Sequence, residues 1–239
     1  MSIRAKLSLL LLLFLLILLS WPRLVSTYSL NLLAIHTLHI LHSPLFPPKS
    51  GGEGGSEGCR AAWFNGFLAQ TQGDELTRDA AWQTSIRCDA SYITFLHKMF
   101  PEDAAFAAYA TEVRPSAAEG WFWRAEAMGG FANYNFTNVT DANRGEIAAL
   151  LQEGLALTPH DGLRWRELGD VLRLVDPQAA IEAYLQSCFN GDPGSNGCWL
   201  AGHVAEGLGD IESAIRYYRF SHWQGALNRA DELEKQLIP

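Results

Sequence analysis

Two stretches of this 239-residue chain repeat one arrangement of small and aromatic residues, and that recurrence limits the possible folds more than any other feature. In GLRWRELGDVLRLVDPQAAIEAYLQS, residues 162–187, Trp165, Leu168, Gly169 and Leu172 fall on one helical face. Asp176-Pro177 ends that helix, because proline lacks the backbone N–H and clashes with the preceding turn. A second helix then presents Ala180, Ile181 and Tyr184. In CWLAGHVAEGLGDIESAIRYYRFS, residues 198–221, the order recurs as Ala201-Gly202, Gly209-Asp210 at the turn, then Ala214-Ile215 and Tyr218. The small residue on each first helix lets the second approach closely. Two such helices cannot bury their apolar faces alone, so neighbouring copies must cover them. A stack of helical hairpins is expected.

The spacing continues upstream. Asn65-Gly66 is followed by Gly73-Asp74, and Gly66 and Gly73 stand seven residues apart, as do Gly202 and Gly209. EGLALTPHDG ends one unit at Pro159, and TEVRPSAAEGW ends another at Pro115, just before Trp121. These residues resemble the tetratricopeptide repeat family, whose helix–turn–helix unit of about 34 residues carries W-x-x-L-G-x-x-Y, then G-D/N, A-I-x-x-Y and a closing A-L-x-L-x-P. The resemblance covers 59–222 and is carried mainly by the last two units. It departs from the family pattern in three places. The unit at Gly162 has a turn one residue short, the unit at Ala118 has a loop expanded by FANYNFTNVTDANRG, and Asp89 to Pro115 matches only in helical pattern and its MFPED break. The expected fold is all-α, a tetratricopeptide-like helical-hairpin solenoid of four or five units, with a capping helix within 223–239.

The N-terminus reads differently. Arg4 and Lys6 precede an almost purely apolar run, and Ala5 to Trp21 is 17 residues, the lower end of what spans a bilayer. A cleaved signal peptide is the alternative, but no small-residue cleavage site follows. Residues 1–23 are therefore expected to be a transmembrane signal-anchor with its N-terminus in the cytoplasm, since positive flanks stay inside. The protein is then anchored by a single pass, with the repeats outside the cytoplasm. Within 24–45, YSLNLLAIHTLHILH gathers His36, His39 and His42 opposite Leu30, Leu33, Leu38 and Leu41, an amphipathic helix. Residues 46–58, rich in Pro, Gly and Ser, read as a linker.

The four cysteines fall at helix ends. Cys59 opens the first helix of its unit and Cys88 closes the second, while Cys188 closes one helix and Cys198 opens the next. Helix ends adjoin in antiparallel hairpins, so Cys59–Cys88 and Cys188–Cys198 are disulfide candidates, each contributing roughly 2–4 kcal/mol outside the cytoplasm. Asn135 and Asn138 begin formal glycosylation sequons. No H-E-x-x-H, G-x-S-x-G or Walker pattern is present, and the cysteine spacing does not suit zinc. Neither catalysis, metal nor cofactor is expected. Charge excludes another class: all but four of the 18 basic and all but two of the 26 acidic residues lie from Cys59 onward, 14 against 24. Phosphate binding needs a positive field, so nucleic acid is not an expected partner.

The resemblance implies a concave groove, lined by the first helix of each unit, that binds a protein or peptide segment. Its exposed positions map to Trp63 and Phe67, Phe122 and Glu126, Arg166 and Asp170, and Trp199 and His203, with Arg60 and Arg173 nearby. Trp63, Phe122 and Trp199 would supply apolar pockets, and Arg166 and Arg173 would meet a carboxylate. A register one residue different puts those aromatics in the core, and Trp121 beside Phe122 leaves both registers open. A scaffold for protein partners is the expected function. A carbohydrate-binding or polysaccharide-processing accessory is the alternative, because aromatic rows also stack on sugars.

Overall fold

A computed structural model describes residues 56–130, 137–191 and 196–237 of the chain. All of them belong to the second of two compact units, Gly52–Pro239. The N-terminal apolar run, the amphipathic stretch, the linker through residue 55, the start of the expanded loop and the Asn135 sequon lie outside the described residues.

Eleven α-helices and no strand occur among the described residues. Four hairpins pair α1 (Ser56–Gln72) with α2 (Glu75–Cys88), α5 (Ala118–Gly129) with α6 (Arg144–Leu157), α7 (Gly162–Leu172) with α8 (Pro177–Phe189), and α9 (Asn196–Gly207) with α10 (Ile211–Phe220). Between the first two lie α3 (Ser91–Met99) and α4 (Ala104–Val113), and α11 (Gln224–Leu237) follows the last. From α4 onward each helix packs on its neighbours in sequence. The exception is α3, which packs on α2 and α5 rather than pairing with α4. No helix among the described residues is long and apolar enough to cross a membrane.

Aspartates start the helices. Asp74, Asp103, Asp161, Asp176 and Asp210 each accept a hydrogen bond from a backbone N–H in the first turn that follows, satisfying donors that have no partner within the helix. The turns before Asp74 and Asp210 are closed alike. Gly73 and Gly209 adopt left-handed φ of 72° and 80°, and the next N–H reaches five residues back, Asp74 to Ala69 at 2.9 Å and Asp210 to Ala205 at 3.0 Å. The third hairpin, α7 with α8, lacks that residue. There Asp176 bonds only four back, to Leu172 at 2.8 Å, and Pro177 begins α8 at once. Gly209→Ala is expected to lower stability by roughly 1 kcal/mol in urea unfolding, because left-handed backbone is costly for any residue with a Cβ. An unchanged midpoint would mean that the turn re-forms in another conformation.

One contact repeats through the stack. Gly66, Gly169 and Gly202 on the first helices of their hairpins lie against the rings of Trp82, Tyr184 and Tyr218 on the second helices, all three rings buried. A Cβ at Gly169 or Gly202 would stand 2.5 or 2.6 Å from its ring, where no real Cβ fits. Each tyrosine hydroxyl then returns to the first helix, Tyr184 donating to Asp170 at 2.7 Å and Tyr218 to Glu206 at 2.8 Å. The buried side chains form three successive clusters. Trp82, Ile86, Ile93, Leu96, Phe106 and Trp123 make the first, Ile147, Leu151 and Val171 lie in the second, and Tyr184, Tyr218 and Leu233 in the third. Leu172 touches both the second and the third, so the core runs along the stack instead of around one centre.

Candidate partner-binding face

Helices α1, α5, α7 and α9 carry nine of the ten residues expected in the groove, and the tenth, Arg173, caps the end of α7. Near the N-terminal end, Trp63 and Phe67 stand on α1 with their rings 5.0 Å apart, and Trp63 also packs 4.9 Å from Tyr92 and 6.0 Å from Phe95. Both are half-buried over the first cluster, while Phe95 is 42% exposed. Arg60 is half-buried on the same helix, and its charge acts on Tyr92.

Phe122 does not belong to the surface. It is 2% exposed, and its ring fills the space left by Gly154 on α6. Trp121 and Trp165 nevertheless hold equivalent positions, because their indoles make the same bond, each donating at 2.8 Å to the carbonyl of the preceding proline, Pro115 or Pro159. What differs is the placement of the small residue. In this hairpin the glycine sits on the second helix and the ring comes from the first, so the position that holds Arg166 in the next unit holds a core phenylalanine here.

Behind Phe122 lies an ionic network across α3, α5 and α7. His97 on α3 places Nδ1 2.8 Å from Glu119 and Nε2 2.8 Å from Glu126, both on α5. Arg164 on α7 stands 3.8 Å from Glu126, bonds Glu167 at 2.8 Å and covers the Phe122 ring at 4.8 Å. Burial works against charge on His97, but its bonds to Glu119 and Glu126 outweigh it and hold the ring above its usual pKa. The bond from His97 keeps Glu119 below the usual carboxylate range against the opposing effect of burial. Burial pushes Glu167 up, and Arg164 only partly offsets this. Neither ring nitrogen of His97 is left to act on a substrate, and no group of His, Cys, Asp and Glu suited to a metal occurs among the described residues.

Farther along, Arg166 and Asp170 are half-buried on α7, and Arg173 caps its end at the surface. Trp199 and His203 stack on α9 with centroids 5.6 Å apart and planes at 5°. Trp223, 51% exposed, stands at 82° to Trp199 across 5.5 Å. The face thus has aromatic surface at both ends and charge between. His97, Phe95, Arg164 and Trp223 had no signal in the sequence pattern, because α3 matches the repeat weakly and Trp223 lies past the last unit.

Both cysteine pairs are bonded, Cys59–Cys88 with Cα atoms 5.8 Å apart and Cys188–Cys198 with 5.2 Å. The first ties the start of α1 to the end of α2, and the second joins α8 to α9. An open depression is lined by residues 157–163 with Asn190 and Gly191. It lies on the loops between hairpins.

No protein-family model and no curated protein matches this chain. Two crystal structures of MamA are similar to it at 20% identity. One covers 77% of this chain and 97% of its own with a TM-score of 0.49, the other 72% and 95% with 0.46. At that distance they say nothing of what this chain binds.

Proposed function

We propose that this chain is a non-catalytic scaffold that holds an extended segment of a partner protein against the face made by α1, α3, α5, α7 and α9. The carrying observation is the surface left at its two ends. Phe95 and Trp223 remain 42% and 51% exposed beside half-buried aromatics, although smaller or polar residues there would leave the core intact. Contiguous apolar surface of this kind marks interaction sites. Between the ends, Arg173 offers a guanidinium to a carboxylate, and the carboxylates of α5 and α7 disfavour an acidic segment.

The scaffold works, in this reading, at the outer face of the cytoplasmic membrane, held by residues 1–23. The apolar run with Arg4 and Lys6 before it supports the anchor, and the two disulfides suit an oxidising compartment. Protease added to intact cells should digest the repeats. Protection until the membrane is broken would overturn the placement.

One observation favours a second reading. An exposed indole set across a stacked Trp–His pair is also the surface on which a sugar ring packs, so a glycan-binding accessory is the alternative. Crosslinked membranes carrying the full-length protein separate the two. A variant with Trp63, Trp199 and Trp223 changed to Ala should lose a partner that the native protein captures. Loss on neutralising Arg166 and Arg173 as well indicates a peptide. A ligand that ignores the arginines and is released by oligosaccharide indicates a glycan. A protein retained by every variant would move the binding surface off this face.

A further inference from the structure

His97 is 5% exposed, yet both of its ring nitrogens face carboxylate oxygens at 2.8 Å. A neutral imidazole carries one N–H, so it can donate to only one of them and would turn a lone pair toward the other. The doubly protonated ring donates to both. The surroundings agree with that form, since the Trp123 ring lies parallel to His97 within 17° at 5.7 Å, and an indole face attracts a cation.

The position matters because of α3. That helix has nine residues, makes no hairpin with α4, and is held by α2 and α5. Among the described residues its junction with α5 is also held by the His97–Trp123 stack, and by the Trp123 indole donating to the Phe100 carbonyl at 2.9 Å. The two His97 bonds are the titratable part. We infer that His97 is a proton-dependent latch between α3 and α5. The doubly protonated ring clamps Glu119 and Glu126 together and seats α3, whereas the singly protonated ring holds one carboxylate and lets the junction open.

The charged groups around it set the range of pH over which the latch is closed. From α5 they are Glu119 and Glu126, and from α7 Arg164 stands beside Glu126, with Glu167 beyond it. Lys98 on α3 itself acts on Glu119. The charges with the largest effect on the ring are those of Glu126 and Glu119. The folded ring is held above its unfolded pKa, so its contribution is complete below that value and is lost as pH rises through the folded one. Glu119, held low, protects the clamp on the acid side. The latch is therefore closed below the usual histidine range and opens as pH rises through the raised value of the folded ring.

The test uses full-length protein in detergent with 15N-labelled histidine, the His97 signals being those lost in His97→Gln. Below the usual histidine value both ring nitrogens should show imidazolium shifts, and they should keep them beyond the pH at which exposed histidines have titrated. Amide exchange of the α3 peptide, corrected for intrinsic rates, should rise as His97 titrates. In Glu119→Gln, which keeps an acceptor and removes a charge, both events should move to lower pH. A ring that loses its second proton no later than the exposed histidines would overturn the inference, as would α3 protection that is indifferent to the titration. If His97→Gln does not fold, assignment by ring contacts to Trp123 leaves the native titration as the deciding measurement.

Discussion

Gly169→Leu is expected to lose more than about 3 kcal/mol of stability, near the upper end of what overpacking costs. The reason is local and steric. A single Cβ at this position would already stand 2.5 Å from the Tyr184 ring, and leucine adds a branched side chain behind it. The ring cannot retreat, because Tyr184 is fully buried against α9 and its hydroxyl is committed to Asp170. Displacing it breaks that bond and separates α8 from α7. Gly169→Ala should lose less, since roughly 1 kcal/mol of helix propensity offsets part of the clash. Gly207→Ala is the control, having nothing within 4 Å of the added carbon, and should be neutral or slightly stabilising. Against a total stability of about 5–15 kcal/mol, the leucine variant should show a midpoint far below the control in urea. Equal midpoints for the leucine and control variants would mean that the glycine–ring contact is not what sets the spacing of the two helices.

That contact is also why the hairpins are legible in the sequence. Gly66, Gly169 and Gly202 precede their rings by 16, 15 and 16 residues, and the one short interval is the turn without a glycine. A pattern of this kind is local, so the sequence displays it directly. Phe122 was misread because its partner Gly154 lies 32 residues on, across the expanded loop, where no fixed offset connects them. The bonds from His97 to Glu119 and Glu126 span 22 and 29 residues and depend on α3 choosing α5 over α4. A nine-residue helix with a weak repeat signature does not announce that choice. Trp199 and His203 stack on α9, and the surface they make includes Trp223, which arrives only because α11 turns back against α9 and α10. Helix pairing was thus readable from short-range chemistry, while the character of the binding face depends on which helices meet, and that is a property of the whole stack.

Arg164→Ala should be about as damaging, for an electrostatic reason, with a loss of roughly 3–5 kcal/mol at neutral pH. Arg164 is 13% exposed and bonds Glu167, which is 7% exposed. Removing the guanidinium leaves a carboxylate shut away from water with no countercharge, and takes the neighbouring cation from Glu126. The pH dependence identifies the cause. Burial already holds Glu167 above its unfolded pKa, so this group favours the folded state most when it is protonated, and the advantage is lost as pH rises through the folded value. Without Arg164 that value rises further. The gap between native and variant should therefore be widest at neutral pH and narrow as acid neutralises Glu167. A second variant separates charge from packing. Arg164→Met with Glu167→Leu removes both charges at similar volume and should recover most of the loss, because a buried pair replaced by apolar side chains is often neutral in stability. If the gap stays constant with pH and the double variant recovers nothing, the arginine matters for its contact with the Phe122 ring, 4.8 Å below it, and not for its charge.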